Sequence, residues 1–176
     1  MCEALGADVH LLAKGMGMDG RISSKFLHPG PGFGGSCFPK DTKALVDTGE
    51  KCGEVPTLVR EVVSANERQK LRMVTKLEKL FQESLFGKKI GVLGLAFKAG
   101  TDDIRDSPAL SIIQCLLEKG ARVVAHDPQA RDNAEAFFGN SIEFVSNEYD
   151  ALENADGFLV VTEWNQYRSL DLAEAK

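Results

Sequence analysis

At 176 residues and 43% hydrophobic, the chain is long enough for one ordinary domain, or for a small domain plus a helical segment. Its formal charge of −5, from 21 basic and 26 acidic residues, gives no electrostatic footprint for nucleic acid. No apolar run approaches the roughly 20 residues that cross a bilayer. Met1-Cys2-Glu3-Ala4 lacks the basic start and apolar run of a signal peptide, so no membrane partner and a cytoplasmic location are expected. Cys2, Cys37, Cys52 and Cys115 have no metal-like CxxC spacing, and reduced thiols without a metal are expected.

Met1 to Leu5 has no helix start of its own and reads as the tail of a helix. Asp8 is a fair N-cap for a short helix from Val9 that stops at Gly15. Gly15-Met16-Gly17-Met18-Asp19-Gly20 fits G-x-G-x-x-G in form. It follows a helix rather than a strand, and no apolar helix begins after it. It therefore reads as a helix end and turn, not as a dinucleotide fingerprint. Arg21 follows in a loop.

Phe26 to Thr42 cannot be regular structure at its centre. Pro29 to Gly35 holds two prolines and four glycines in seven residues, and Ser36 and Cys37 follow. Proline fixes φ and removes a donor, and glycine allows positive φ and close approach. Pro39 suits the first turn of a helix over Lys40 to Lys51, which places Cys37 just before a helix N-terminus. The positive end of a helix favours a thiolate. A site loop and a turn around a structural cysteine both remain open on these residues alone.

Gly53-Glu54-Val55-Pro56 breaks the chain, and Thr57 to about Gln82 has apolar residues at helical spacing. Glu83 to Lys89 reads as a boundary. What remains alternates strand and helix. Strands are expected at Lys89–Gly94, Arg122–Asp127, Ile142–Phe144 and Gly157–Val161. Helices are expected from Pro108 to Glu118 with Ser107 as N-cap, from Ala130 to Phe138, at Tyr149–Glu153, and from Trp164 towards Lys176. Such alternation implies a parallel sheet with right-handed crossovers and the order 3-2-1-4. Gly94 to Gly100 leaves the first strand at the edge where ligands bind, with Phe97 and Lys98 to offer, but without G-x-G-x-x-G spacing. Asp127 stands where a dinucleotide domain keeps its ribose-binding acid, and reads here as a strand-end cap.

Phe33-Gly34-Gly35-Ser36-Cys37-Phe38-Pro39-Lys40-Asp41 resembles the nucleophile loop of the UDP-glucose/GDP-mannose dehydrogenase family. Asp19-Gly20-Arg21-Ile22, Lys25-Phe26-Leu27, Gly94-Leu95-Ala96-Phe97-Lys98, Asp102-Asp103-Ile104-Arg105-Asp106-Ser107 and Val161-Thr162-Glu163-Trp164 also resemble family motifs, in the family's order. The resemblance covers essentially the whole chain, and implies the C-terminal part of a longer protein whose dinucleotide domain lies upstream. The implied α/β architecture is part of a central helical dimerisation domain over residues 1–86, then a Rossmann-like, parallel-sheet UDP-binding domain over 87–176.

The resemblance further implies oxidation of UDP-glucose to UDP-glucuronate by two hydride transfers to NAD, in a homodimer. Cys37 becomes the nucleophile and Asp41 the residue that holds or activates water. Substrate contacts fall on Arg21, reaching across a dimer, and on Phe26, His28, Pro29, Gly30, Pro31, Gly32, Phe33, Gly34, Phe97 and Lys98. Cofactor contacts fall on Cys37, Phe38, Pro39, Lys40 and Arg105. Other readings are a GDP-mannose dehydrogenase, a nucleotide-sugar-binding or dimerisation module without catalysis, and an NAD-binding Rossmann domain. The absent glycine fingerprint argues against the last. The chain by itself is expected to be inactive.

Overall fold

The computed structural model describes residues 1–82, 84–171 and 173. They fall into two compact units, residues 1–30 and the chain from Pro31 onward.

In the first unit, helix α1 covers Cys2–Leu5 and ends at Gly6 in the left-handed region. Helix α2, Val9–Gly17, starts where expected, because the Asp8 carboxylate accepts the amides of His10 and Leu11 at 2.7 and 3.2 Å. It runs two residues past the expected stop at Gly15. Glycine inside a helix costs only about 1 kcal/mol, and Gly17 sits so close to Ser24 that a Cβ would come within 2.9 Å of its Cα. The G-x-G-x-x-G match is therefore helix end and turn.

In the second unit, helix α3 covers Phe38–Cys52 and closes at Gly53, φ 78°, whose amide reaches back to the Gly49 and Glu50 carbonyls. Helix α4, Thr57–Leu80, is 24 residues long. Its C-terminal half buries Val74 and Leu77, while Leu58 and Val62 in its first half are exposed. The apolar stripe is interrupted: Asn66 and Lys70 occupy its middle and are both buried.

The sheet follows. Strands β1 (Lys89–Leu93), β2 (Arg122–His126), β3 (Glu143–Phe144) and β4 (Gly157–Val160) stand in the order β3-β2-β1-β4, all parallel. This is the order the alternation implied. Helices α5 (Pro108–Glu118), α6 (Arg131–Phe138), α7 (Glu148–Leu152) and α8 (Asn165–Arg168) complete the unit. Ser107 caps α5 through the Ala109 amide, with Pro108 in its first turn. One core joins Val74 and Leu77 of α4, Ile90 and Val92 of β1, and Ile112, Ile113 and Leu116 of α5. A second, smaller one gathers Leu93, Val124, Ala151, Leu152 and Tyr167.

The expected helix from Trp164 towards Lys176 is corrected to Asn165–Arg168. After it, the Asp171 amide donates to the Tyr149 hydroxyl and the Ala173 amide to the Asp171 carboxylate, where a continuing helix would use carbonyls four residues back. Residues 172 and 174–176, and Glu83 in the expected boundary, lie outside the described residues. Among the described residues, no helix is long and apolar enough to cross a membrane.

Candidate functional site

The loop that leads to Cys37 is held from two sides within the second unit. On one side stands α4. Asn66 accepts the Phe33 amide at 2.8 Å and donates its side-chain N–H to the Phe33 carbonyl at 3.0 Å. Gly32, at φ 131°, lies against Asn66 and the stem of Lys70, where a Cβ would meet both at 3.0 Å. The Lys70 ammonium bonds Glu67 at 2.9 Å.

On the other side stands the segment between β1 and α5. The Gly35 amide donates to the Arg105 carbonyl at 2.8 Å. At φ 93°, a Cβ on Gly35 would come 2.8 Å from the Phe97 ring, and one on Gly34 would come 2.5 Å from the Asp106 carbonyl oxygen. Only glycine allows the backbone this close. Lys43 of α3 pairs with Asp106 at 3.0 Å, tying the helix to the same segment.

Cys37 emerges from this seat as the N-cap residue of α3, exposed, with its Sγ 3.7 Å from Ser36 Oγ. The Phe38 ring packs edge-on to Phe33, with centroids 4.7 Å apart. Pro39 is buried, and Thr42 donates its hydroxyl to the Phe38 and Pro39 carbonyls. Asp41 sits one turn on. Its amide bonds the Cys37 carbonyl at 2.8 Å, and its carboxylate lies 3.5 Å from Lys40.

The β1–α5 segment is itself braced. The Arg105 guanidinium grips Asp103 through Nε and Nη2, at 2.9 and 2.7 Å, and this bond holds the Asp103 carboxyl below its usual range. The Phe97 amide donates to the Asp103 carbonyl at 3.0 Å, and the Lys98 ammonium stands 5.4 Å from the Phe97 ring centre. Asp127, at the end of β2, accepts the amides of Leu95 and Ala96 on one oxygen and those of Gln129 and Ala130 on the other. The Trp164 indole adds a further donor.

Two family descriptions match this chain. The central domain of the UDP-glucose/GDP-mannose dehydrogenase family matches residues 1–68, and its UDP binding domain matches residues 91–176. The chain belongs to the UDP-glucose/GDP-mannose dehydrogenase family. It is 45% identical to a UDP-glucose 6-dehydrogenase of Rhizobium meliloti, over the whole chain and 40% of the relative. It is 44% identical to one from Bacillus subtilis, over the whole chain and 38% of the relative. The solved UDP-glucose dehydrogenase of Pyrobaculum islandicum superposes with a TM-score of 0.92 at 40% identity, covering 96% of this chain and 39% of that one. The chain thus spans about 40% of the length of the relatives it matches.

Within this dehydrogenase-family chain, the second unit brings Gly32, Phe33, Gly34, Phe38, Phe97 and the Arg105 backbone around the approach to Cys37. Arg21, Phe26, His28, Pro29 and Gly30 belong to the first unit. There Arg21 is engaged by Asp19 through Nε and Nη2, at 3.0 and 2.6 Å, and Phe26 is fully exposed at φ 61°. Sequence reasoning missed Asn66, Lys70 and Lys43, and gave Asp103 and Asp106 only as members of a family motif, without a role. Asn66 and Lys70 had a readable signal, since both sit four apart on the apolar stripe of α4, where polar residues need a reason.

Proposed function

We propose that the chain carries the nucleophile loop and the UDP-binding part of a longer, cytoplasmic, homodimeric UDP-glucose 6-dehydrogenase that uses NAD. The division into a central helical region over 1–86 and a UDP-binding domain over 87–176 belongs to the same reading. The observation that carries it is Cys37, exposed at the start of α3, at the end of a loop whose glycines seat against Phe97 and the Arg105 carbonyl. The names of the relatives supply the substrate.

Cofactor contacts are assigned to the start of α3, at Cys37, Phe38, Pro39 and Lys40, and to Arg105. A helix N-terminus with flanking cations suits a pyrophosphate. The sheet does not fit a complete dinucleotide site. Its first turn lacks the glycine spacing, and both Asp127 oxygens already accept protein N–H groups. NAD, bound by the longer protein, would supply the hydride acceptor for both oxidations.

The chain's own residues do the rest. Once C6 of the sugar is an aldehyde, the Cys37 thiolate adds to its carbon, and the carbonyl oxygen takes a proton to give a thiohemiacetal. Loss of hydride from that carbon, with loss of the hydroxyl proton to solvent, leaves a thioester. Water attacks the thioester, the C–S bond breaks, and the thiolate leaves with a carboxylate formed. Asp41, one turn from Cys37, holds or activates that water. Arg21, Phe26, His28, the backbone of Pro29–Gly34, Phe97 and Lys98 are the proposed substrate contacts.

The test is Cys37→Ser in the full-length protein. UDP-glucose should still bind and UDP-glucuronate should not accumulate, while Cys52→Ser and Cys115→Ser leave turnover near normal. GDP-mannose in place of UDP-glucose should give no product. Near-normal turnover in Cys37→Ser would remove the nucleophile assignment.

A further inference from the structure

We propose that Asn66 is a positioning residue for Cys37, acting through the backbone of Phe33; this rests on the reading of Cys37 as the nucleophile. Asn66 lies on the buried stripe of α4, and its partner is 33 positions away in sequence. Its side-chain amide uses both functions on one residue, accepting the Phe33 N–H and donating to the Phe33 C=O. That pair of bonds fixes the Phe33 peptide groups as a strand partner would. Phe33 then orients its ring against Phe38, the residue directly after Cys37. Gly32 has no Cβ, and this lets the loop lie flat on Asn66 and on the buried stem of Lys70.

The clamp satisfies both backbone groups of Phe33, and a leucine at position 66 would leave them without that partner. What the amide adds is a defined loop conformation, and the thiol at its end must meet a carbon within a few tenths of an ångström. A misplacement of about 1 Å can cost on the order of 100-fold in rate.

The experiment uses the full-length protein with Asn66→Ala and Asn66→Asp. Asn66→Ala should exchange the Phe33 amide proton at least about fivefold faster, since one hydrogen bond is worth about 1 kcal/mol. It should lower kcat by roughly 10- to 100-fold and change KM for UDP-glucose by less than about threefold. Asn66→Asp keeps the size and the acceptor but loses the donor, so its carboxylate faces the Phe33 carbonyl. Asn66→Asp should therefore lower kcat at least as far as Asn66→Ala does, again with little change in KM for UDP-glucose.

A kcat within about twofold of wild type in Asn66→Ala, with the Phe33 amide exchanging faster, would overturn the proposal. So would a Phe33 amide as protected as in wild type in Asn66→Ala, or a kcat within about twofold of wild type in Asn66→Asp. Cys37→Ser tests the nucleophile reading separately. A dead Cys37→Ser beside a fully active Asn66→Ala removes only the positioning role.

Discussion

Trp164 donates its indole N–H to Asp127 Oδ2 across 3.1 Å, closing the ring of donors around that carboxylate. Three N–H groups meet at Oδ2, from Leu95, Ala96 and Trp164, and two at Oδ1, from Gln129 and Ala130. Asp127 is 4% exposed. It therefore holds the turn after β1 and the start of the chain after β2 in one arrangement, and the nearby Thr162 hydroxyl adds a bond to the Ala96 carbonyl at 2.6 Å. Asp127→Ala would leave buried amides without an acceptor, at about 1–3 kcal/mol each. The expected loss is about 3–5 kcal/mol of unfolding free energy. Denaturant titration followed by the fluorescence of the single tryptophan measures it, and a loss under about 1 kcal/mol would show that water replaces the carboxylate.

Gly35 is the second position with no tolerance. Its φ of 93° disfavours any side chain, and the Phe97 ring occupies the space a Cβ would need. In Gly35→Ala either the loop or the Phe97 ring must move, and both belong to the proposed site. Turnover of the full-length protein should fall at least about tenfold, because reacting groups displaced by an ångström lose most of their rate. Gly53→Ala, where a Cβ meets nothing within 4 Å, should affect stability alone. Equal turnover in the two variants would argue against the loop geometry described.

The isolated 176-residue chain, given UDP-glucose and NAD, should form no NADH above background. The G-x-G-x-x-G match lies in α2 and its turn, and the Asp127 carboxylate is occupied. A sustained rate of absorbance increase from NADH would reveal a cofactor site built from other residues.

UDP itself should bind the second unit weakly, through the segment that follows β1. Lys98 is exposed beside the Phe97 ring, five residues after the end of β1. Lys98→Met should weaken binding by roughly 10-fold, in line with a charge-assisted bond of about 1.5 kcal/mol. Amide shifts recorded during a UDP titration give both the site and the affinity. Shifts confined to residues far from Phe97 and Lys98 would sink the assignment.

His126 gives the fold a pH dependence. The Tyr167 hydroxyl donates to the His126 carbonyl at 3.0 Å, and its oxygen faces His126 Nδ1 at 2.9 Å. Burial holds the imidazole below its usual value, against the smaller upward pull of Glu148 and Asp127. The unfolded chain therefore binds a proton here that the folded chain resists. Stability is fully present above the unfolded value of about 6.5, and declines as pH falls from there towards the lower folded value. Urea unfolding midpoints should drop across that window in the wild type. His126→Gln should flatten this part of the dependence, and an unchanged slope would place its origin elsewhere.

The sequence by itself determined the elements whose signals are local. Ser107 and Pro108 mark the start of α5, Gly53 the end of α3, and the strand–helix alternation gives the parallel order β3-β2-β1-β4. The glycine-proline loop and Cys37 before a helix were equally plain, since each rests on backbone preferences of neighbouring residues. Only the tertiary structure decided what holds that loop. Asn66 meets Phe33, Gly35 meets Arg105 and Lys43 meets Asp106 because α4 and the segment after β1 are brought against it by burial of Val74, Leu77, Ile90 and Ile112 in one core. A hydrogen bond between distant residues has no local preference to announce it. The polar pair Asn66 and Lys70 on an apolar stripe was its one trace in the sequence, and the shape that answered it existed only once the chain had packed.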